Sequence, residues 1–239
     1  MFFIQFEDAD LLQSLLCLTL VFSPVFCEFA MWSRILICGV VLLCLTWPAC
    51  AEKNKEIKGH FFDRDSVGVS ESFEQGIPKK CVPVKGSWEI RSGALVGKEL
   101  KADQHAAVLN YQVPNRDSAV HFSFRLDGES TGFHFSLNHA KGHLFRVVVG
   151  LDRVAIKLDR DKKDPASKIM VLADGPAEIR KGAWHTMLVE MKGQEVSVQM
   201  DSGLSLQAKH AKLAVDKPNY RFVTRGESLS IDDFNIDHH

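Results

Sequence analysis

From residue 119 onward the chain alternates apolar and polar side chains with a period of two. Ala119 to Leu126 sets Val120, Phe122, Phe124 and Leu126 against His121, Ser123 and Arg125, and it stops at Asp127-Gly128. Phe133 to Asn138 repeats the pattern, with Phe133, Phe135 and Leu137 against His134, Ser136 and Asn138. Successive side chains of a strand point to opposite faces, so each segment predicts a strand with one apolar and one polar side. The same reasoning predicts strands over 144–149, 153–158, 168–172, 184–191, 195–200, 220–224 and 229–236. Gly150, Asp174-Gly175, Lys192-Gly193 and Asp201-Ser202-Gly203 punctuate them. No amphipathic helix of convincing length interrupts the series. Turns every 8 to 12 residues or so predict an all-β antiparallel sandwich and not βαβ units.

The first 51 residues break this pattern. Met31-Trp-Ser-Arg34 opens a short cationic start, 35–47 is almost unbroken apolar sequence, and Ala49-Cys50-Ala51 places small residues where a signal peptidase cuts. This predicts a secretory signal peptide over 31–51, cleaved after Ala51, because the apolar run is shorter than the roughly 20 residues of a membrane span. A lipid anchor on Cys50 is the alternative, although Trp47-Pro48 is a poor lead-in for it. Residues 1–30 hold a second apolar stretch, 11–26, broken by Pro24. They read as an extension upstream of a working initiator at Met31, with a first membrane segment as the rival. A single domain is expected over 52–239, since no repeat, low-complexity tract or Pro/Ser linker divides it. The expected location is periplasmic or extracellular, with membrane contact only through the signal or a Cys50 anchor.

Charge and cysteine content narrow the field further. Of the 29 Lys and Arg only Arg34 precedes Glu52, and of the 30 Asp and Glu only Glu7, Asp8, Asp10 and Glu28 do. The exported part therefore carries a balance of about +2, too small for an electrostatic nucleic-acid binder. Cys81 is its one cysteine, so the core and not a disulfide must supply stability. The charge-rich stretch 159–165 reads as a solvated connection.

Gly86-Ser-Trp-Glu-Ile-Arg-Ser-Gly-Ala-Leu95 gives a Trp strand followed by a Gly-Ala-Leu turn. Phe122 to Gly128, Gly182-Ala-Trp-His-Thr186 leading into Leu188-Val-Glu190, and Ser230-Ile-Asp-Asp-Phe-Asn-Ile236 follow in order. Together these segments resemble the 3-keto-disaccharide hydrolase-like family of the concanavalin A-like lectin/glucanase superfamily. The resemblance implies a jelly roll of two curved sheets that binds, and in some members cleaves, a glycan or 3-keto-glycoside on the concave sheet. It leaves open a non-catalytic, lectin-like or structural envelope module that contacts a glycan or protein. The Glu-x-Asp-x-x-Glu strand of the superfamily's glucanases is missing, so their retaining chemistry with paired carboxylates is not expected.

The candidate site is the polar side left over once the aromatic side is assigned to the core. Alternation predicts that His121, Ser123 and Arg125, then His134, Ser136 and Asn138, then Arg146, gather on one accessible face. Polar solvent faces are the default for antiparallel sheets, but here His and Arg recur where Thr, Lys or Glu would serve. His134, Arg125 and Arg146 are the candidates for acid/base and oxyanion roles, and His121, Ser123, Ser136, Asn138 and Glu190 for sugar contacts. Trp184 and His185 must point to opposite sides, with Trp184 expected in the core. His139 and His143 flank a turn near His134, but their spacing fits no metal motif. No cofactor is implied. Asp232, beside Asp233, is the one position to which a Ca²⁺ role is ascribed. Cys81 is expected to pack as a small apolar residue.

Overall fold

A computed structural model describes residues 56–63, 68–139 and 142–238. The expected signal peptide, the extension before it and Cys50 lie outside the described residues. The strands are β1 (Val69–Glu71), β2 (Cys81–Lys85), β3 (Ser87–Arg91), β4 (Ala94–Lys98), β5 (Ala107–Tyr111) and β6 (Ser118–Leu126). There follow β7 (Gly132–His139), β8 (Gly142–Gly150), β9 (Arg153–Leu158), β10 (Met170–Pro176) and β11 (His185–Lys192). The last four are β12 (Glu195–Met200), β13 (Ser205–Lys209), β14 (Tyr220–Thr224) and β15 (Glu227–His238). One sheet has the order β13-β12-β11-β6-β15-β4-β3, with β1 also paired to β15; the other has the order β10-β9-β8-β7-β14-β5-β2. Every ladder is antiparallel.

The apolar sides found by alternation meet between the sheets. Phe122 of β6 stands 5.3 Å from both Phe135 of β7 and Phe222 of β14, and Phe124 stands 4.8 Å from Phe133. Tyr111 and Phe234 close the same interior at 4.9 Å. Tilted and edge-to-face pairs of this kind add about 0.5–1.5 kcal/mol each beyond the area they bury. Cys81 is buried as expected; desolvation, then the nearby Glu71 carboxylate, pushes its thiol up to about 12, so it stays protonated.

Nine strands lie where alternation predicts, with 153–158, 195–200 and 220–224 matched end to end. The Asp174-Gly175 turn is a correction: both residues lie inside β10, paired to Ala155 and Val154, on an edge strand that tolerates glycine. Strands β1, β2, β4, β5 and β13 escaped prediction, and the expected Gly-Ala-Leu turn is a correction, since Ala94 and Leu95 open β4. β2 and β5 are buried or edge segments without clean alternation, and β2 carries Pro83 and Lys85, which suit an exposed edge. In the Gly86-Ser-Trp motif, Trp88 pairs with Gly97, and the indole ring occupies the space a Cβ at Gly97 would need. Gly86 takes φ +77°, and any side chain there would collide with Ala107.

Candidate functional site

The connection 127–131 does not fold β7 back beside β6; it carries the chain from one sheet to the other. This corrects the expected single cluster. With their aromatic sides facing each other across the core, the polar sides of β6 and β7 point outward in opposite directions. His121, Ser123 and Arg125 lie on the outward side of the β11-β6-β15 sheet. His134, Ser136, Asn138 and Arg146 lie on the outward side of the other.

The first of these sides is largely closed. His121 and Ser123 are 1% and 0% exposed. Glu190, also fully buried, accepts backbone N–H bonds from His60 (2.7 Å), Phe61 (3.0 Å) and Phe62 (3.1 Å). Segment 56–63 thus lies across β11, with Ile57 packed on Ala119 and Leu188, and Lys192 over the Phe62 ring. A Cβ at Gly59 would stand 2.9 Å from Glu190 Oε1 and closer still to the Phe62 carbonyl oxygen, so the turn over the carboxylate needs glycine. The expected sugar-contact role of Glu190 is replaced by a structural one, because its oxygens are taken up by the chain itself.

Trp184 is buried as expected, at 7% exposed, but outside the cluster between the sheets. It lies just before β11 on the outward side, where the Arg125 guanidinium sits 5.0 Å from its ring centre and bonds Asp127 at 2.9 Å. His185 is the one that turns inward, stacked 5.5 Å from Phe124, with its Nε2 accepting the Arg180 N–H. A bulge in β15 between Asp232 and Asn235 turns both Asp232 and Asp233 away from the core. Asp232 Oδ1 accepts the Asp233 N–H, and Ser123 Oγ bonds Asp233 Oδ2 at 3.5 Å. Among the described residues no group of three or more His, Cys, Asp or Glu is placed to hold a metal ion.

The opposite side is partly exposed at His134, Arg146, Val148, Lys157, Arg221 and Val223, with Asn110 and Ser136 buried among them, and it is organised in rows by strand register. One row runs Asn110 (β5), Arg221 (β14), Ser136 (β7), Arg146 (β8) and Lys157 (β9). The adjacent row runs Val108, Val223, His134, Val148 and Ala155. Strands lie about 4.8 Å apart and same-side rows about 6.7 Å apart, so the rows form a polar strip beside an apolar one. Its polar members are held in place. Arg221 Nε donates to Asn110 Oδ1 at 2.7 Å. Arg146 makes a two-pronged pair with Asp159, through Nε–Oδ2 at 3.2 Å and a shorter Nη2–Oδ1 contact. Asn138 Nδ2 donates to Asn219 at 2.8 Å, and its Oδ1 meets His143 Nδ1 at 3.1 Å.

Electrostatics set this side apart. Burial, then Arg146, Lys157 and Arg225 in turn, lowers His134 to about 4, so its imidazole is uncharged at neutral pH. His143 is lowered by burial, then by Arg221, Arg146, Lys162 and His139. Both guanidiniums are partly desolvated, which disfavours their charged form. Sequence reasoning grouped His134, Ser136, Asn138 and Arg146, and the strand register puts all four on one side of this sheet. It missed Arg221, Asn110, Lys157 and Asp159. Arg221 was visible as the polar member of Tyr220-Arg-Phe-Val-Thr224, but the pattern does not say which strand lies beside β14. Asp159 was read as part of a solvated loop, yet it is 9% exposed.

Two antiparallel sheets packed over one aromatic interior make the fold a β-sandwich of the jelly-roll kind. No family model matches the sequence, and neither does any curated protein. Solved structures do resemble the fold. A carbohydrate-binding module, CBM66 from Bacillus subtilis, aligns with TM-score 0.53 at 12% identity, covering 66% of this chain and 95% of its own. SCLam, a non-specific endo-β-1,3(4)-glucanase of family GH16, aligns with TM-score 0.55 at 10% identity over 78% of this chain and 95% of its own. LamAcat from Zobellia galactanivorans aligns with TM-score 0.53 at 13% identity, over 72% and 97% respectively. At such identities the likeness concerns the fold.

Proposed function

We propose that the protein is an exported carbohydrate-binding domain that holds a glycan against the outward side of β5, β14, β7, β8 and β9. The observation that carries this reading is the pairing of the Asn110–Arg221–Ser136–Arg146–Lys157 row with the Val223–His134–Val148 row. A sugar presents hydroxyls at its rim and C–H groups on its faces, so it needs directed donors and acceptors beside an apolar strip. Arg146 and Arg221 are already fixed by Asp159 and Asn110, which reduces the ordering cost of binding. The fold shared with a carbohydrate-binding module and a glucanase supports the same ligand class. A glycan array tests it. Binding should appear for at least one glycan class and fall about tenfold or more in Arg146→Ala; an array blank with correctly folded protein would end the proposal.

One observation favours a second reading, cleavage of a 3-keto-glycoside of the kind implied by the family resemblance. His134 is free of a proton at neutral pH and sits diagonally across the ladder from Arg146, as a general base beside an electrophilic group would. Turnover of such a substrate that His134→Ala abolishes while binding persists would establish it. Binding without turnover leaves the lectin-like reading.

A further inference from the structure

The polar row is not merely hydrophilic; its cations outnumber the carboxylates facing them. Asp159 is taken up by the two-pronged contact with Arg146. Arg221, half-buried, has Asn110 as its hydrogen-bond partner and no carboxylate among the described residues. Lys157, directly opposite Arg146 in the ladder, also has none. Arg225 adds positive charge at the end of β14, and Lys162 lies near His143. Taking a guanidinium part-way out of water without a counter-charge is costly, and the cost is recovered when an anion arrives. Plain solubility would not ask for it, since exposed lysines on mobile stems would serve with no desolvation.

We infer that the glycan held on this side is anionic, carrying carboxylate or sulfate groups that engage Arg221 and Lys157. This rests on the carbohydrate reading above and names the chemistry of its ligand. Arg221 lies two strands from Arg146, about 10 Å by strand spacing, and Lys157 one strand beyond it. The cations thus form a line across the strands, suited to successive charged groups along one chain and not to a single point charge. Arg221, with Nε already committed, offers its terminal N–H groups to such an oxygen pair. Between the two ends, Ser136 and the uncharged His134 supply hydrogen bonds without adding charge. The two histidines report the field: the cations around each disfavour its charged form.

Calorimetric titration of the full protein with two matched pairs of polymers tests this: polygalacturonate against its fully methyl-esterified form, and dextran sulfate against dextran. We expect at least one charged member to bind about tenfold or more tightly than its neutral partner, and the better of the two identifies the group. Arg221→Ala and Lys157→Ala should each weaken that charged polymer by roughly fivefold or more, and added salt should weaken it too. Two variants are used because both side chains are partly exposed and neither should unfold the chain. Equal affinity for charged and neutral members would overturn the anionic assignment and leave carbohydrate binding standing. Charged-polymer binding indifferent to both substitutions would also overturn it. If neither pair binds and a glycan array is blank as well, the carbohydrate reading itself falls.

Discussion

The two outward sides of the sandwich are built from strands that look alike in sequence, and they have come to opposite ends. On β6 and β11 the outward positions His121, Ser123 and Glu190 are 1%, 0% and 0% exposed, and the Glu190 carboxylate is satisfied by three backbone N–H groups of a segment about 130 residues earlier in the chain. On β7, β8 and β14 the outward positions His134, Arg146 and Arg221 keep part of their surface in water, and Arg146, Lys157 and Arg225 surround His134 with positive charge. A polar strand face can therefore be covered by the protein's own chain or left partly exposed. What separates the two is whether a segment of the chain lies over the strands, as 56–63 does over β11.

Substitutions can break this comparison, and the largest effect is expected on the closed side. Glu190→Ala leaves three N–H groups of segment 56–63 without their acceptor and should cost about 3–4 kcal/mol in chemical denaturation. Ligand affinity of the protein that remains folded should change less than about twofold. On the open side, Arg146→Ala strands the buried Asp159 and should cost about 2–3 kcal/mol of stability while also weakening glycan binding. That double loss is the mark of a residue serving both structure and ligand.

The third effect is set by pH. His134 is pushed down to about 4, so an unfolded chain takes up a proton below pH 6.5 that the folded chain refuses until about pH 4. Stability should fall across that window by up to about 2 kcal/mol after allowance for solvent screening, with the part due to His143 acting in the same direction. Urea unfolding at pH 7, 5 and 4 measures the slope, and His134→Asn should flatten it. The smallest effect belongs to Arg125→Ala, which removes a half-exposed pair with Asp127 and the contact over Trp184. It should cost about 1 kcal/mol or less and leave glycan affinity unchanged, because Arg125 lies on the other side.

Much of this architecture was legible from period-two alternation alone, because a buried Phe at every second position admits one orientation of the strand. Val120, Phe122 and Phe124 had to point inward, and so did Phe133, Phe135 and Leu137. The candidate site was legible only by halves. Alternation gives the side of a strand but not the sheet it joins, so His121 and Arg125 were grouped with His134 and Arg146 when they lie back to back. Trp184 is buried as its size suggested, but it packs on the outward side beneath Arg125 and not between the sheets. The role of Glu190 was beyond local reading, since its partners are backbone groups of a segment with no strand pattern. Arg221 and Asn110 became neighbours only through the β14–β5 ladder, a pairing between segments some 110 residues apart.

Ligand is expected to meet the β14-β7-β8 side. Footprinting of arginines with a dicarbonyl reagent, read by mass spectrometry with and without a saturating amount of the tightest glycan from the array, tests it directly. Arg125 and Arg146 are comparably accessible, at 35% and 26% of their side-chain surface, so each serves as the other's control. Protection of Arg146 and Arg221 with Arg125 still modified is the predicted result. Protection of Arg125 with Arg146 and Arg221 unchanged would contradict it.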